Sequence, residues 1–212
     1  MKKNLLLILT VIALLSMPVT VCATEKKEND AFKFRGFEWG TTLEEIQEKE
    51  ITDGMVEGVD YSLKEDAKSW VLKTEVASVN VYAWFEFDDD WKLNLGYYIV
   101  NEDHQTNSEY YSDFVRISNG LISLYGDVTS NFGVGFSSND FDDLDGMTRD
   151  EILPVLEGGG GIQFLSWAAN DGSMIIGTCY SLDGNLRVEY YYFKDYSQFE
   201  DILTNSVNTE GL

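Results

Sequence analysis

The chain has 212 residues and a formal net charge of −22, with 37 Asp and Glu against 15 Lys and Arg. So acidic a surface repels nucleic-acid phosphates and anionic lipid, which leaves solubility outside the cell, or attraction of a basic partner, as its use. Aromatic residues make up 14% of the chain, too many for wholesale disorder, which results from too little apolar side chain to offset chain entropy.

Residues 1–23 read as a secretory signal peptide: Lys2 and Lys3, an apolar run from Leu5 to Leu15, Pro18, then a cleavage-type Val21-Cys22-Ala23. The run falls short of the about 20 apolar residues that span a bilayer as a helix. Cleavage after Ala23 removes Cys22. A lipid anchor at Cys22 is the lesser reading, because Val21 stands where a small residue is needed. Cys179 is then the one cysteine left, so no intramolecular disulfide forms and stability must come from the core. Residues 24–33 are charged and poor in apolar side chains, and are expected to be a tether.

Phe34, Phe37 and Trp39 are placed to pack on a short helix that Thr42 caps and that ends near Gly54. From Trp70 to Val100 the pattern alternates. Val79, Val81, Ala83, Phe85 and Phe87 share one face, and after Asp88-Asp89-Asp90 the same parity resumes at Leu93, Leu95, Tyr97 and Ile99, which predicts an antiparallel hairpin. Tyr110, Phe114, Ile117, Leu121 and Leu124 then mark one stripe of an amphipathic helix. Residues 127–145, rich in Gly, Ser, Asn and Asp, read as a linker loop.

The second half repeats this order. Thr148 caps a helix through Ile152, Leu153, Val155 and Leu156 that Pro154 should keep short or kinked. A strand near 163–168 and a turn at Asn170-Asp171-Gly172 follow, then Met174, Ile176, Thr178 and Tyr180 on one face. Asp183-Gly184 is a tight-hairpin dipeptide, and Leu186, Val188, Tyr190 and Tyr192 return on the same face. Tyr196, Phe199, Ile202 and Leu203 suggest a closing helix.

Gly40-Thr41-Thr42-Leu43-Glu44-Glu45-Ile46 and Gly146-Met147-Thr148-Arg149-Asp150-Glu151-Ile152 match at Gly, Thr, Glu and Ile, each a capping box. Leu93-Asn94-Leu95-Gly96-Tyr97-Tyr98-Ile99 likewise lies over Leu186-Arg187-Val188-Glu189-Tyr190-Tyr191-Tyr192. The expected fold is α+β: two tandem helix–antiparallel sheet–helix repeats, residues 34–126 and 146–212, with helices on one sheet face. The Gly-Met-Thr-Arg opening at Gly146 resembles that of the β-lactamase-inhibitor-like proteins and, less directly, of small outer-membrane assembly lipoproteins. The resemblance implies tandem copies of a helical segment followed by an antiparallel sheet. It carries no activity, and Pro154 and the lack of paired cysteines depart from the inhibitor pattern.

If helices cover one face, the other carries Tyr82, Trp84, Tyr98, Tyr191 and Phe193 among Asn94, Glu86 and Arg187. An aromatic stripe on an open sheet is a candidate protein-binding surface, since aromatics dominate interface hot spots. A small-ligand or glycan receptor on the same face is the alternative, and a carboxylate-dependent hydrolase a second. Chemistry elsewhere is weak. The acidic stretch 139–145 fails as a calcium loop because Phe141 and Ile152 occupy its first and last ligand positions. His104 and Cys179 are too few for a zinc site, and Cys179 falls mid-strand as a buried thiol does. Gly158 to Gly161 lacks the Lys and Ser or Thr of a phosphate loop. No cofactor, metal or enzymatic role is expected; the partner is expected to be an envelope or extracellular protein, met through the aromatic face or the hairpin tips.

Overall fold

A computed structural model of the chain describes residues 29–52, 58–59, 68–135, 147–159 and 161–198. The signal segment with Cys22, residues 24–28, the acidic stretch 139–145, and Phe199, Ile202 and Leu203 lie outside the described residues. The elements are α1 (Leu43–Thr52), β1 (Gly58–Val59), β2 (Ser69–Val76), β3 (Val79–Phe87), β4 (Leu93–Val100), α2 (Asn107–Tyr125), β5 (Ser130–Gly135), α3 (Arg149–Glu157), β6 (Gly161–Ala168), β7 (Met174–Leu182) and β8 (Asn185–Phe193). The strands form one sheet in the order β1-β2-β3-β4-β8-β7-β6-β5, antiparallel at every step. Two meanders therefore meet where β4 pairs with β8.

The described helices start the same way. Thr42 N–H donates to Glu45 Oε2 at 3.0 Å while Glu45 N–H donates to Thr42 Oγ1 at 3.3 Å. Thr148 with Glu151 and Thr106 with Glu109 form the same reciprocal box. Each arrangement satisfies two of the amides that a helix start leaves without partners, and each lowers the pKa of its glutamate through the threonine hydrogen bonds. The box at Thr106 opens α2, which lies outside the Gly-x-Thr match. The shared motif is thus helix-start chemistry and does not by itself mark a repeat. Pro154 sits inside α3, which is nine residues long, as short as expected.

The helices cover one sheet face. Ile46 of α1, Phe114, Ile117 and Leu121 of α2, and Ile152 and Leu156 of α3 join a single cluster with Val79, Val81, Ala83 and Phe85 of β3 and Leu186, Val188, Tyr190 and Tyr192 of β8. α2 is fastened by polar contacts as well. Tyr190 Oη donates to Phe114 O at 2.6 Å and lies 2.7 Å from Ser118 Oγ, and Leu186 N–H donates to Asn107 Oδ1 at 2.9 Å. Leu124, expected on the buried stripe, is 61% exposed; Tyr111 is buried instead, which turns the stripe slightly around the helix axis.

Residues 29–33 are part of the fold, not of the expected tether. Phe32 is fully buried, its N–H donates to Ser173 Oγ at 2.8 Å, and Asn170 N–H donates to Asn29 O at 2.8 Å. Phe34 then sits over Gly96, packed against Phe85, Tyr98 and Tyr192 with centroids 4.9, 4.9 and 5.2 Å away. Arg35 follows in the left-handed region at φ 54°, and its guanidinium makes a buried bidentate pair with Glu50, Nε to Oε1 at 2.7 Å and Nη2 to Oε2 at 2.8 Å. Residues 130–135 of the expected linker form β5 on β6. Its Ser, Gly and Asn content resembles a loop's, yet the strand rests on backbone pairing that composition does not report.

Two parity assignments are corrected. A bulge at Glu86/Phe87 sets Leu95 opposite Glu86 and Leu93 opposite Phe87, so Asn94 is an extra residue on β4. Beyond it the faces exchange: Tyr98 and Val100 enter the main core, while Leu95 joins a second cluster on the opposite face with Tyr97 packed against it. On β7, Met174 and Ile176 belong to that second cluster, and Ile175 and Cys179 face the helices. Gly177 takes the place of a side chain beneath Tyr190, whose Cε1 would lie 2.5 Å from an added Cβ.

A Cβ on Gly96 would fall 2.2 Å from Phe34 Cγ, inside contact distance of a ring held on three sides. Gly96→Ala is expected to destabilise the protein by about 1–3 kcal/mol through overpacking. Gly120, inside α2, has only Ala77 Cβ near, at 3.5 Å, so Gly120→Ala is expected to stabilise by about 0.5–1 kcal/mol. Urea unfolding of the two variants checks both signs.

Candidate functional site

Alternation along β3 puts Tyr82, Trp84 and Glu86 on the face away from the helices, all half-buried. Strand register carries the row across the seam: Trp84 opposite Tyr97, Tyr97 opposite Tyr191, Tyr191 opposite Ile176. The Trp84 and Tyr97 rings stack with centroids 5.7 Å apart and planes 6° apart; Tyr97 and Tyr191 stack at 5.2 Å and 30°, and Tyr191 stacks on Phe193 at 6.0 Å. Leu95, Met174, Ile176 and Phe193 form an apolar floor beside this row, with Phe164 and Tyr196 against it. Among the described residues, the packed helices α1–α3 all contribute their buried side chains to the other face.

Two carboxylates flank the rings. Tyr97 Oη donates to Glu86 Oε1 at 3.0 Å; Tyr191 Oη donates to Glu189 Oε2 at 2.7 Å, and Tyr180 Oη donates to the same oxygen at 3.3 Å. Burial raises the pKa of Glu86, opposed by the Tyr97 hydrogen bond. The phenols move up too. Tyr180 is pushed up to about 12 by burial and by the charge of Glu189, and burial with the adjacent carboxylates drives Tyr97 and Tyr191 higher still. At neutral pH the row is therefore a set of neutral phenols tied to acids.

Two buried polar atoms of this face have no hydrogen-bond partner: Trp84 Nε1 and Thr178 Oγ1. An unpaired buried polar atom costs about 1–3 kcal/mol, and both of these are closed to solvent.

Of the five side chains expected on this face, Tyr82, Trp84 and Tyr191 lie there half-buried, while Phe193 is directed to it but is only 2% exposed, buried in the second cluster with Leu95, Met174 and Ile176. Tyr98 is not. It is 7% exposed in the main core, packed on Phe34 and Tyr192, with its hydroxyl pushed up to about 12 by burial against the opposing pull of Arg35. Tyr97 takes its place because of the bulge. The signal that marks this position is Gly96 in mid-strand, the residue type that accompanies bulges and close approaches.

The remaining candidates separate. His104 Nε2 lies 2.5 Å from Asp113 Oδ2 and its ring meets Tyr110 edge-on, which makes it a tie between the β4–α2 connection and the helix. Cys179 is buried among apolar groups, with its thiol pushed up to about 12 by burial, the reverse of what a nucleophile needs. At the β3–β4 tip, Asp88 Oδ1 accepts from the amides of Asp90 and Lys92, a local turn.

The chain matches no known protein family, no curated protein and no solved structure. Among the described residues, no helix is long and apolar enough to cross a membrane.

Because Glu86 titrates higher in the fold than in the open chain, its contribution to stability is present below the ordinary glutamate range and is lost as pH rises through the folded value. Glu86→Gln removes that penalty and keeps an acceptor for Tyr97. At pH 8 it is expected to raise stability by up to roughly 0.5 kcal/mol, a small gain because the side chain retains some solvent, and the gain should vanish by pH 4. Thermal melts of both proteins at the two pH values check the sign.

Proposed function

We propose that the protein is an exported, non-catalytic binding module that holds another protein on the second face of its sheet. The observation that carries this reading is the stacked Trp84–Tyr97–Tyr191 row, lying on the face opposite the packed helices and crossing the seam of the two meanders. Rigid aromatic side chains lose little entropy on binding and supply most interface energy. The export signal read at residues 1–23 and the strongly acidic composition support a place outside the cytoplasm, and the absence of a preorganised nucleophile at Cys179 supports binding over covalent chemistry.

We also propose that the chain is a duplicated unit. The orders α1-β2-β3-β4-α2 and α3-β6-β7-β8, with a helical turn opening at Tyr196, run alike and meet symmetrically at β4 and β8. The outer strands differ, since β1 follows α1 whereas β5 precedes α3. The resemblance to β-lactamase-inhibitor-like proteins supports the same architecture, and no contact residue is carried over from it.

A photo-crosslinking residue at Tyr82 should yield one discrete protein adduct in an extracellular extract, and the same probe at Leu124 on α2 should yield none. Trp84→Ala should remove that adduct while lowering the melting temperature by less than about 3 °C, whereas Tyr98→Ala, a core truncation, should cost about 3 kcal/mol or more. Equal labelling from both positions, or unfolding of Trp84→Ala, overturns the reading.

A further inference from the structure

One part of the second face is buried more deeply than a bare sheet allows. Leu95, Met174, Ile176 and Phe193 are 2–7% exposed, and Thr178, two residues beyond Ile176 on β7, is closed to the same degree. The helices α1–α3 pack on the other face, so they supply none of this cover. Neighbouring strands screen the flanks of a side chain but leave its end in water, and an apolar sheet face is buried by a second layer laid upon it. The burial is also uneven. Tyr82 and Trp84 on β3 stay half-buried, while the closed positions run over β4, β8 and β7.

The chain itself delivers a segment to that place. After β8 ends at Phe193, Asp195 caps a helical turn that opens at Tyr196: Gln198 N–H donates to Asp195 Oδ1 at 3.1 Å, and Lys194 N–H donates to Gln198 Oε1 at 3.0 Å. Gln198 Nε2 donates to Asn94 O at 2.7 Å, which ties the turn to the bulge of β4 next to Leu95. Tyr196 already packs against the floor, as does Phe164 of β6, which stands opposite Thr178. Phe164, Phe193 and Tyr196 each have a further interaction beyond these.

Residues 199–212 lie outside the described residues, and their sequence fits the space. Tyr196, Phe199, Ile202 and Leu203 recur at helical spacing on one side, with Asp201 opposite. A helix from Tyr196 to Leu203 rises roughly 10 Å, against roughly 13 Å from Met174 to Thr178 along β7. Other stretches outside the described residues start further away: residues 53–57 and 60–67 flank the edge strand β1, and residues 136–146 join the edge strand β5 to α3 on the helix side. Residues 24–28 carry no apolar side chain.

We infer that the C-terminal segment 196–203 is the occupant of the second face, continuing the turn at Tyr196 as a helix that lies back over Leu95, Phe193, Met174 and Ile176 toward Thr178 and Phe164. This goes beyond the binding reading and sets a boundary to it, because a partner then meets only the Tyr82–Trp84–Tyr97 end of the row.

The test uses the full exported chain with a benzophenone amino acid in place of Phe199. Irradiation should give an adduct within one molecule, mapped by mass spectrometry to the β4 or β7 segment that carries Leu95, Met174 and Ile176; the same probe in place of Asp201 should give none there. Phe199→Ala/Ile202→Ala should lower the melting temperature by about 5–10 °C and raise binding of an apolar dye about threefold, while Asp201→Ala should shift the melting temperature by less than about 2 °C and leave dye binding unchanged. If the double variant does not fold, the crosslink decides. An adduct on α1–α3, an adduct between two copies, no adduct, or equal effects of the stripe and Asp201 variants overturns the inference. A Tyr82 adduct retained while the Phe199 probe labels elsewhere removes this placement alone; loss of the Tyr82 adduct with the Phe199 crosslink on β4 or β7 removes the binding reading and supports the placement.

Discussion

The pairing of β4 with β8 is the constraint from which both faces of the molecule follow. Five residue pairs, from Leu95 with Phe193 to Ile99 with Glu189, join two meanders into one sheet, and successive pairs point to opposite sides. On the helix side the pairs are Gly96 with Tyr192 and Tyr98 with Tyr190. On the other side they are Tyr97 with Tyr191, flanked by Leu95 with Phe193 and Ile99 with Glu189. A slip of one residue would exchange these sets, burying Glu189 under α2 and exposing Tyr190. The register is therefore held by what each set packs against.

What it packs against differs in kind on the two sides. Toward the helices, Tyr190 lies over Gly177 and reaches the carbonyl of Phe114, while Phe34 lies over Gly96 and closes a cage with Phe85, Tyr98 and Tyr192. Each glycine is a hole cut for one ring. Such contacts fix position to within a fraction of an ångström because interiors are packed at crystal-like density. On the other side, the rings stack on each other and end in phenol–carboxylate hydrogen bonds. That surface is ordered by its neighbours in the sheet, with the Trp84, Tyr97 and Tyr191 rings half-buried and Leu95, Ile176 and Phe193 buried beside them.

The segment before α1 shows why this order is economical. Phe32, Phe34 and Phe37 place three rings in the core within six residues, and Arg35 between them turns through a left-handed conformation to reach Glu50. The bidentate pair is buried, so removing either partner would strand a charge, and its geometry fixes the path of the strap between Phe34 and Phe37. Through Phe34 that path bears on Gly96, and through Gly96 on the seam. The aromatic row on the far face is therefore supported from beneath by residues with no access to it.

Alternating patterns made β3 and β8 legible, because the core sets Val79-Val81-Ala83-Phe85-Phe87 and Leu186-Val188-Tyr190-Tyr192 keep one unbroken parity with polar residues interspersed between them, and the turn at Asp183-Gly184 was legible because both residues adopt positive φ. β4 and β7 were not, for a single reason: they are apolar on both faces. In β4 the inserted Asn94 shifts the period, and nothing in Leu93-Asn94-Leu95-Gly96-Tyr97-Tyr98 distinguishes one phase from the other except the glycine. In β7 the core set is Ile175, Gly177 and Cys179, smaller than the outward set of Met174, Ile176, Thr178 and Tyr180, so size alone favours the wrong face. The smaller set faces the core because Tyr190 needs the space above Gly177. β5 was missed for the complementary reason, since residues 130–135 form a strand through backbone pairing in a composition typical of loops.

The same phase shift bears on the proposed duplication. Aligned by sequence, Tyr97 stands over Tyr190 and Tyr98 over Tyr191; related by a two-fold turn about the Tyr97–Tyr191 pair, Tyr97 corresponds to Tyr191 and Tyr98 to Tyr192. The best sequence match between the halves is thus one residue away from the spatial one beyond the bulge. Two strands that began alike would be brought to this state by a single inserted residue in one of them, which sends Tyr97 out to meet Tyr191 and creates the stacked pair at the centre of the sheet. On that account the bulge is what assembles the aromatic row, since without Asn94 the outward position opposite Tyr191 would hold a residue of the other phase, and the carboxylates Glu86 and Glu189 would flank a gap instead of a continuous strip.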